Sequence, residues 1–226
     1  MTPTDLLSWS AGDLSRRIAE HAVSCRELMK ASLQRIDELN PRFNALVSLR
    51  PADKLMAEAD ARDRQLAQGQ RLGWMHGFPV AVKDLADAKG LVTTMGSPAT
   101  SRQPAARDAL FVERMRRAGA IVIGKSNTPE FGLGSHTYNS VFGTTVNAYD
   151  ETRTAGGSSG GAAVSLALRM VPVADGSDMG GSLRNPAAWN NAVGFRPSRG
   201  RVPAVPAEDV FYQQLATEGP MGRNVD

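Results

Sequence analysis

This 226-residue chain has a single cysteine, only three histidines and only five lysines. Cys25 has no second thiol to pair with, which excludes a disulfide inside the chain. It lies in SCRELMKASLQRI, whose helical periodicity points to a buried thiol. The histidines, His21, His76 and His136, are scattered without metal-ligand spacing, so surface or core roles are expected and neither a metal nor another cofactor. No stretch approaches the roughly 20 apolar residues of a membrane span. The start, MTPTDLLSWSAGDLSRR, has no apolar signal core behind a basic segment, so a soluble, cytoplasmic protein is expected. Charge of one sign is lacking as well. The 26 basic residues are interleaved with 23 acidic ones, as in RRIAEH and VERMRRAG, and the formal net charge is only +3. That balance carries no footprint for nucleic acid or a membrane surface.

What is present suffices for a sizeable core: 42% of the residues are hydrophobic, enough for one large domain or two small ones. The first part reads as helices. Ser10 caps 11–21, Ser24 with Glu27 forms a capping box for 25–38, and Pro51 starts 52–68. After Gly73 short apolar runs follow, Phe78 to Val82, Ala120 to Ile123 and Val171 to Val173, with a helical stretch at 107–118. Strands alternating with helices predict an α/β fold, a mixed sheet flanked by helices. Residues 1–72 are expected to form a mainly helical layer and 73–226 the α/β core that carries the motifs below. From Gly143 to Gly161 the composition is that of a loop, after which AAVSLALRM resumes as helix. The end, TEGPMGRNVD, reads as an interruption in mid-domain.

Two nucleotide- or hydrolase-like motifs do not survive their context. GAIVIGKS, 119–126, matches the phosphate-loop pattern, but its four intervening residues are apolar and form the strand itself, leaving no cradle of N–H groups. GGSSG, 156–160, fits a nucleophile elbow centred on Ser158, yet no histidine follows it in the chain. A serine–histidine hydrolase would need its base from outside these residues. A Gly/Ser tract of this kind is ordinarily a linker; a second cluster, Asp175 to Pro186, argues otherwise. There Gly180 and Gly181 precede Ser182 at the start of a short helix, and glycines let backbone N–H groups converge on one point. Met179, Gly180, Gly181 and Ser182 are the candidate donors to a developing oxyanion. A serine nucleophile needs a base, and with no suitable histidine the remaining choice is a lysine kept neutral by burial. With only five lysines each can be weighed. Lys83 ends the apolar strand GFPVAVKD, whereas Lys30 and Lys54 lie on polar helix faces.

GFPVAVKD, AGAIVIGKSNTPEF, NSVFGTTVNAYD, AGGSSGGAA and GSDMGGSLRNPAAWNNAVGFRPSRGRVP together resemble the amidase signature family, from about residue 5 to the end. Members of that family are much longer, so the chain resembles their N-terminal portion. The resemblance implies one mixed α/β domain and a Ser–Ser–Lys triad of Ser182, Ser158 and Lys83. Ser182 would attack an amide carbonyl, Ser158, held by a cis peptide bond, would relay the proton, and neutral Lys83 would accept it. By the same resemblance Ser159, Asp178 and Arg184 support the two loops, and Gly132 lines the acyl pocket. The expected partner is a small-molecule amide, with a homodimer open. MGGSLRNPAAWN resembles the free-standing amidases more than the glutaminase component of the tRNA-dependent amidotransferase, which is the alternative within the family. A non-catalytic binding module that kept the fold is the alternative from another class; the intact Lys83, Ser158 and Ser182 argue against it.

Overall fold

A computed structural model describes residues 6–203, 205 and 215–226. Helix α1, Ala11–Ala19, begins at Ser10, whose hydroxyl accepts the Asp13 N–H at 3.0 Å. Helix α2, Cys25–Phe43, carries the expected capping box between Ser24 and Glu27. It runs five residues further than 25–38 predicts. Pro41 falls in its last turn, where losing one donor does not stop the chain, and the helix closes when Asn44 turns left-handed and donates to Asn40 O at 2.8 Å. Helix α3, Ala52–Ala67, follows Pro51 and lends Asp63, which accepts the Cys25 and Arg26 N–H groups at 2.7 and 3.0 Å. The open N-terminus of α2 is thus satisfied from a neighbouring helix. Cys25 is buried, and burial pushes its thiol far above the ordinary range.

The core between these helices and the rest of the chain is a three-stranded sheet in the order β1–β3–β2. Strand β1, Leu46–Val47, is antiparallel to β3, Ile121–Ser126, and β2, Pro79–Lys83, is parallel to it with Lys83 beside Ser126. Helix α4, Leu110–Arg117, supplies the crossover. Every residue of β2 and β3 is buried, as strands covered on both faces must be. Strand β3 extends beyond the apolar run Ala120 to Ile123 and takes in Lys125. The buried Lys125 amine donates to Ala86 O and to Thr93 Oγ1 and lies 3.8 Å from Asp84. That environment disposes of a phosphate loop: GAIVIGKS is strand and its lysine points into the protein's own polar groups.

A 3₁₀ turn, Glu130–Gly132, and a short hairpin of β4, Tyr138–Asn139, and β5, Gly143–Thr144, lead to helix α5, Gly160–Ala167. A second sheet follows in the order β6–β8–β7, from Val173–Asp178, Thr217–Gly222 and Val193–Gly194, with the short helix α6, Arg184–Trp189, between β6 and β7. Two expectations are corrected here. The strand anticipated at Val171 to Val173 begins only at Val173 and runs through the polar Asp175, Ser177 and Asp178. TEGPMG, in which the sequence reading places no strand, is the central strand of its sheet. Glycine and proline hide its strand character, which pairing on both sides supplies instead. Among the described residues no helix is long and apolar enough to cross a membrane.

Candidate active site

The two sheets meet at Lys83. Its backbone N–H is taken by the Asp175 carboxylate, at 3.2 and 3.1 Å, rather than by a neighbouring strand. Its side chain is buried with the amine among three serine hydroxyls: Ser158 Oγ at 2.7 Å, Ser159 Oγ at 2.8 Å and Ser177 Oγ at 2.9 Å. Burial pulls the amine from 10.5 down to about 8, opposed by the carboxylates of Glu218, Asp175 and Asp178. On that footing roughly a tenth of it is neutral at pH 7. A neutral amine has two N–H donors and one lone pair, so three hydroxyls saturate it only if one of them donates. Ser159 cannot be that one, because its own O–H is directed to Ser177 O at 3.3 Å. Ser158 makes the shortest of the three contacts and has no other hydrogen-bond partner for its proton among the described residues.

The loop that presents Ser158 is bracketed at both ends by one side chain. Thr137 Oγ1 donates to Gly156 O at 2.8 Å and accepts the Gly160 N–H at 3.1 Å. Between them the Gly157–Ser158 peptide is cis. Helix α5 then presses its first turn onto the end of β3, where Gly161 N donates to Asn127 O at 3.2 Å. A Cβ on Gly161 would collide with the backbone N of Asn127 and O of Ala45, so the position needs glycine.

The second loop is organised by Asp178, fully buried at the end of β6. Its carboxylate accepts from Gly181 N at 2.8 Å, Leu183 N at 3.0 Å, both Arg184 Nε and Nη2 at 3.0 Å, and Arg196 Nε at 3.1 Å. Burial alone would raise the carboxyl, but the Arg184 hydrogen bonds and the Leu183 and Gly181 N–H groups hold it well below the usual range. Ser182 follows on this loop, half-buried, and its carbonyl accepts the Ser159 N–H at 3.2 Å. That bond ties the two serine loops together. The Ser182 hydroxyl itself makes no hydrogen bond among the described residues, and none links it to Ser158.

Of the anticipated residues, Lys83, Ser158 and Ser159 therefore form one cluster, with Ser182 joined to it through backbone. Asp178 and Arg184 are paired. The Gly181 N–H is committed to Asp178, which leaves the N–H groups of Met179, Gly180 and Ser182 unbonded among the described residues. Gly132 ends the 3₁₀ turn against Leu85, two residues beyond Lys83, and the turn is pinned by Phe131 N to Met95 O at 2.7 Å. Thr137, Asp175, Ser177, Arg196 and Glu218 are site residues that the sequence reading misses. Ser177 sits inside GSDMGGSLR, and its alternation with Asp175 is the signal that both face one side of a strand. Among the described residues no group of three or more histidine, cysteine, aspartate or glutamate side chains is arranged to hold a metal ion.

The fold is mixed α/β, and its site is a buried lysine set on serine hydroxyls with no histidine hydrogen-bonded to them among the described residues. The chain belongs to the amidase signature family, whose family model, Amidase, matches residues 27–226. It is 39% identical over 96% of its length to an indoleacetamide hydrolase of Bradyrhizobium diazoefficiens. To a glutamyl-tRNA(Gln) amidotransferase component of Acidothermus cellulolyticus it is 40% identical over 98% of its length. It covers 42% and 44% of those two proteins. Among solved structures it is similar to a bacterial aryl acylamidase, with TM-score 0.89 and 35% identity over 96% of this chain and 45% of that one. The peptide amidase of Stenotrophomonas maltophilia gives TM-score 0.85 and 33% identity over 96% of this chain and 45% of that one. The chain thus spans less than half the length of these relatives.

Proposed function

We propose that the protein is an amidase that hydrolyses the C–N bond of a carboxylic amide through an acyl-enzyme on Ser182. The observation that carries this reading is the buried Lys83 amine at 2.7 Å from the Ser158 hydroxyl. In the proposed sequence Ser182 Oγ attacks the carbonyl carbon as its proton passes to Ser158 Oγ and the Ser158 proton passes to neutral Lys83. The N–H groups of Met179, Gly180 and Ser182 receive the developing oxyanion. The C–N bond then breaks as the proton returns through Ser158 to the departing nitrogen. Water attacks the acyl carbon along the same relay and releases the acid. Asp178, with Arg184 and Arg196, holds the loop in place; Ser159 and Ser177 orient the amine. The relay also requires a Ser158–Ser182 hydrogen bond, which is not formed among the described residues. The relatives act on different amides, so small carboxylic amides, aryl acylamides and peptide amides form the panel to assay.

The test is labelling of the full chain with a fluorophosphonate probe, followed by mass spectrometry to place the adduct. An adduct on Ser182 that disappears in Ser182→Ala supports the reading; an unlabelled chain, or an adduct elsewhere, refutes it. Turnover should vanish in Ser182→Ala and fall roughly a hundred- to ten-thousand-fold in Ser158→Ala and Lys83→Ala, about the contribution of acid–base catalysis. Similarity to the amidotransferase component supports a second reading, a glutaminase working with partner proteins. Hydrolysis confined to glutamine, and only in the presence of those partners, would select it.

A further inference from the structure

The pairing of β6 with β8 brings to the lysine a carboxylate that lies outside the motifs. In the antiparallel register Ser177 is opposite Glu218 and Asp175 is opposite Pro220. Residues directly opposite share a face with Cβ atoms about 5 Å apart, and residues two apart on a strand share a face. Asp175, Ser177 and Glu218 therefore line one side of the sheet, the side that meets Lys83. Asp175 accepts the Lys83 backbone N–H and Ser177 accepts from its amine. Glu218 is half-buried, and its carboxylate makes no hydrogen bond among the described residues. An acid placed there without a hydrogen-bond partner acts on its surroundings through its charge.

We propose that Glu218 is a positioning residue for the proton relay: its carboxylate stabilises the charged Lys83 amine and so sets the pH at which that amine becomes a base. The inference rests on the relay described above for its catalytic meaning. The charged groups around Glu218 are few. Strand β2 brings Lys83, and β6 brings Asp175 and Asp178, the latter taken up by Arg184 and Arg196. Strand β3 brings Lys125, which acts on Asp175. Strand β7 and helix α5 bring no titratable side chain. Arg223, just beyond β8, is turned to Val171 O and Trp9 O.

Burial chiefly, with the Asp175 charge adding to it and Lys83 opposing, raises Glu218 to about 7. Asp175 is raised to about 6, again chiefly by burial, with the Lys83 N–H and the charges of Lys125 and Lys83 opposing. Glu218 and Lys83 therefore titrate in overlapping ranges, and each carboxylate formed makes the lysine proton harder to remove. Two sites coupled in this way titrate as a pair, in two macroscopic steps.

The test reads Lys83 directly. With five lysines in the sequence, 13Cε-lysine labelling gives a spectrum sparse enough to assign Lys83 by its loss in Lys83→Arg. In the unmutated full chain the Lys83 signal should show, besides its own step, inflections that report Asp175 and Glu218. In Glu218→Gln the inflection that reports Glu218 should be lost while that of Asp175 remains, and the lysine step should move lower by at least roughly one pH unit, as for one nearby charge at an effective dielectric of about 20. Glu218→Asp, which keeps the charge, should stay close to the unmutated value. If the amidase reading holds, kcat/KM of Glu218→Gln at a fixed pH on the acid limb rises about tenfold, with the alkaline plateau unchanged. A purely structural role would lower the plateau and leave the limb in place. A single-site titration in the unmutated chain, or no shift in Glu218→Gln, overturns the proposal whatever the protein hydrolyses. A shifted lysine in a protein that cleaves no amide would leave the tuning intact and refute the amidase reading instead.

Discussion

Replacing Asp178 by asparagine tests whether one carboxylate organises the Ser182 loop. The buried acid accepts five hydrogen bonds, three of them from the guanidinium groups of Arg184 and Arg196. An amide keeps one acceptor oxygen and sets an NH2 group where the second had been. If the oxygen stays with Gly181 and Arg196, the NH2 faces Leu183 N and Arg184 Nε, both of them donors. Breaking a buried charged pair costs about 3–5 kcal/mol. The Arg184 side chain is 54% exposed, so water recovers part of that loss and the lower end, about 3 kcal/mol, is expected. For a chain of this size that is a fall in Tm of about 6–12 °C, readable by calorimetry of the full chain. The pH dependence gives a second check. The folded Asp178 is held below its unfolded value of 3.8, so its contribution is complete above that pH and drains away as pH falls toward the folded value. Asparagine has nothing to titrate, so the two proteins should differ by a constant amount at pH 5–8 and converge below about pH 4. Equal melting at pH 7, or a gap that persists unchanged into acid, would refute the argument.

Lys125→Met removes the partner of a buried Asp84 and should cost about 3 kcal/mol or more in urea unfolding, with Lys125→Met/Asp84→Asn recovering part of it; an unchanged midpoint would show the pair to be idle. The same variant should bind nucleotide no differently from the unmutated protein, since neither has a phosphate cradle. Gly161→Ala drives a methyl into the backbone of Asn127 and Ala45 and should cost about 1–3 kcal/mol, with activity falling because α5 carries the Ser158 loop; a neutral outcome would mean that β3 yields there. On the proposed amidase reading, kcat/KM of the unmutated protein should rise with pH toward a plateau above about pH 8, because the proposed base is the neutral lysine and its folded value is about 8; a flat profile from pH 6 to 9 would contradict that base.

How far the sequence reveals this depends on whether an interaction is local. Ser24 and Glu27 are three residues apart, and the capping box they form follows from their spacing alone. Lys83 is legible because an apolar strand ending in a lysine already implies burial, and Ser158 and Ser182 because glycines surround them and because the motifs resemble a family. The residues that complete the site act across the chain. Ser177 reaches a lysine 94 positions away, and Asp175 one 92 positions away. Their polarity argues for a loop, which is why pattern alone sets strand β6 too early. Thr137 brackets the Ser158 loop from the β4 edge through contacts 19 and 23 positions distant, with nothing in HTYN to announce it.

Glu218 shows the physical reason most plainly. Its position matters only because TEGPMG, poor in strand-forming residues, is held as a strand by β6 on one side and β7 on the other. Pattern and propensity report what a segment prefers alone, whereas this segment takes its conformation from its neighbours. The charge that acts on the lysine is therefore set by pairing register: a slip of one residue would turn Glu218 to the opposite face and remove it from Lys83. The residues proposed as nucleophile, relay and base can be read from local signals and motif resemblance, but the pH at which the proposed base would work depends on tertiary structure that those signals do not contain.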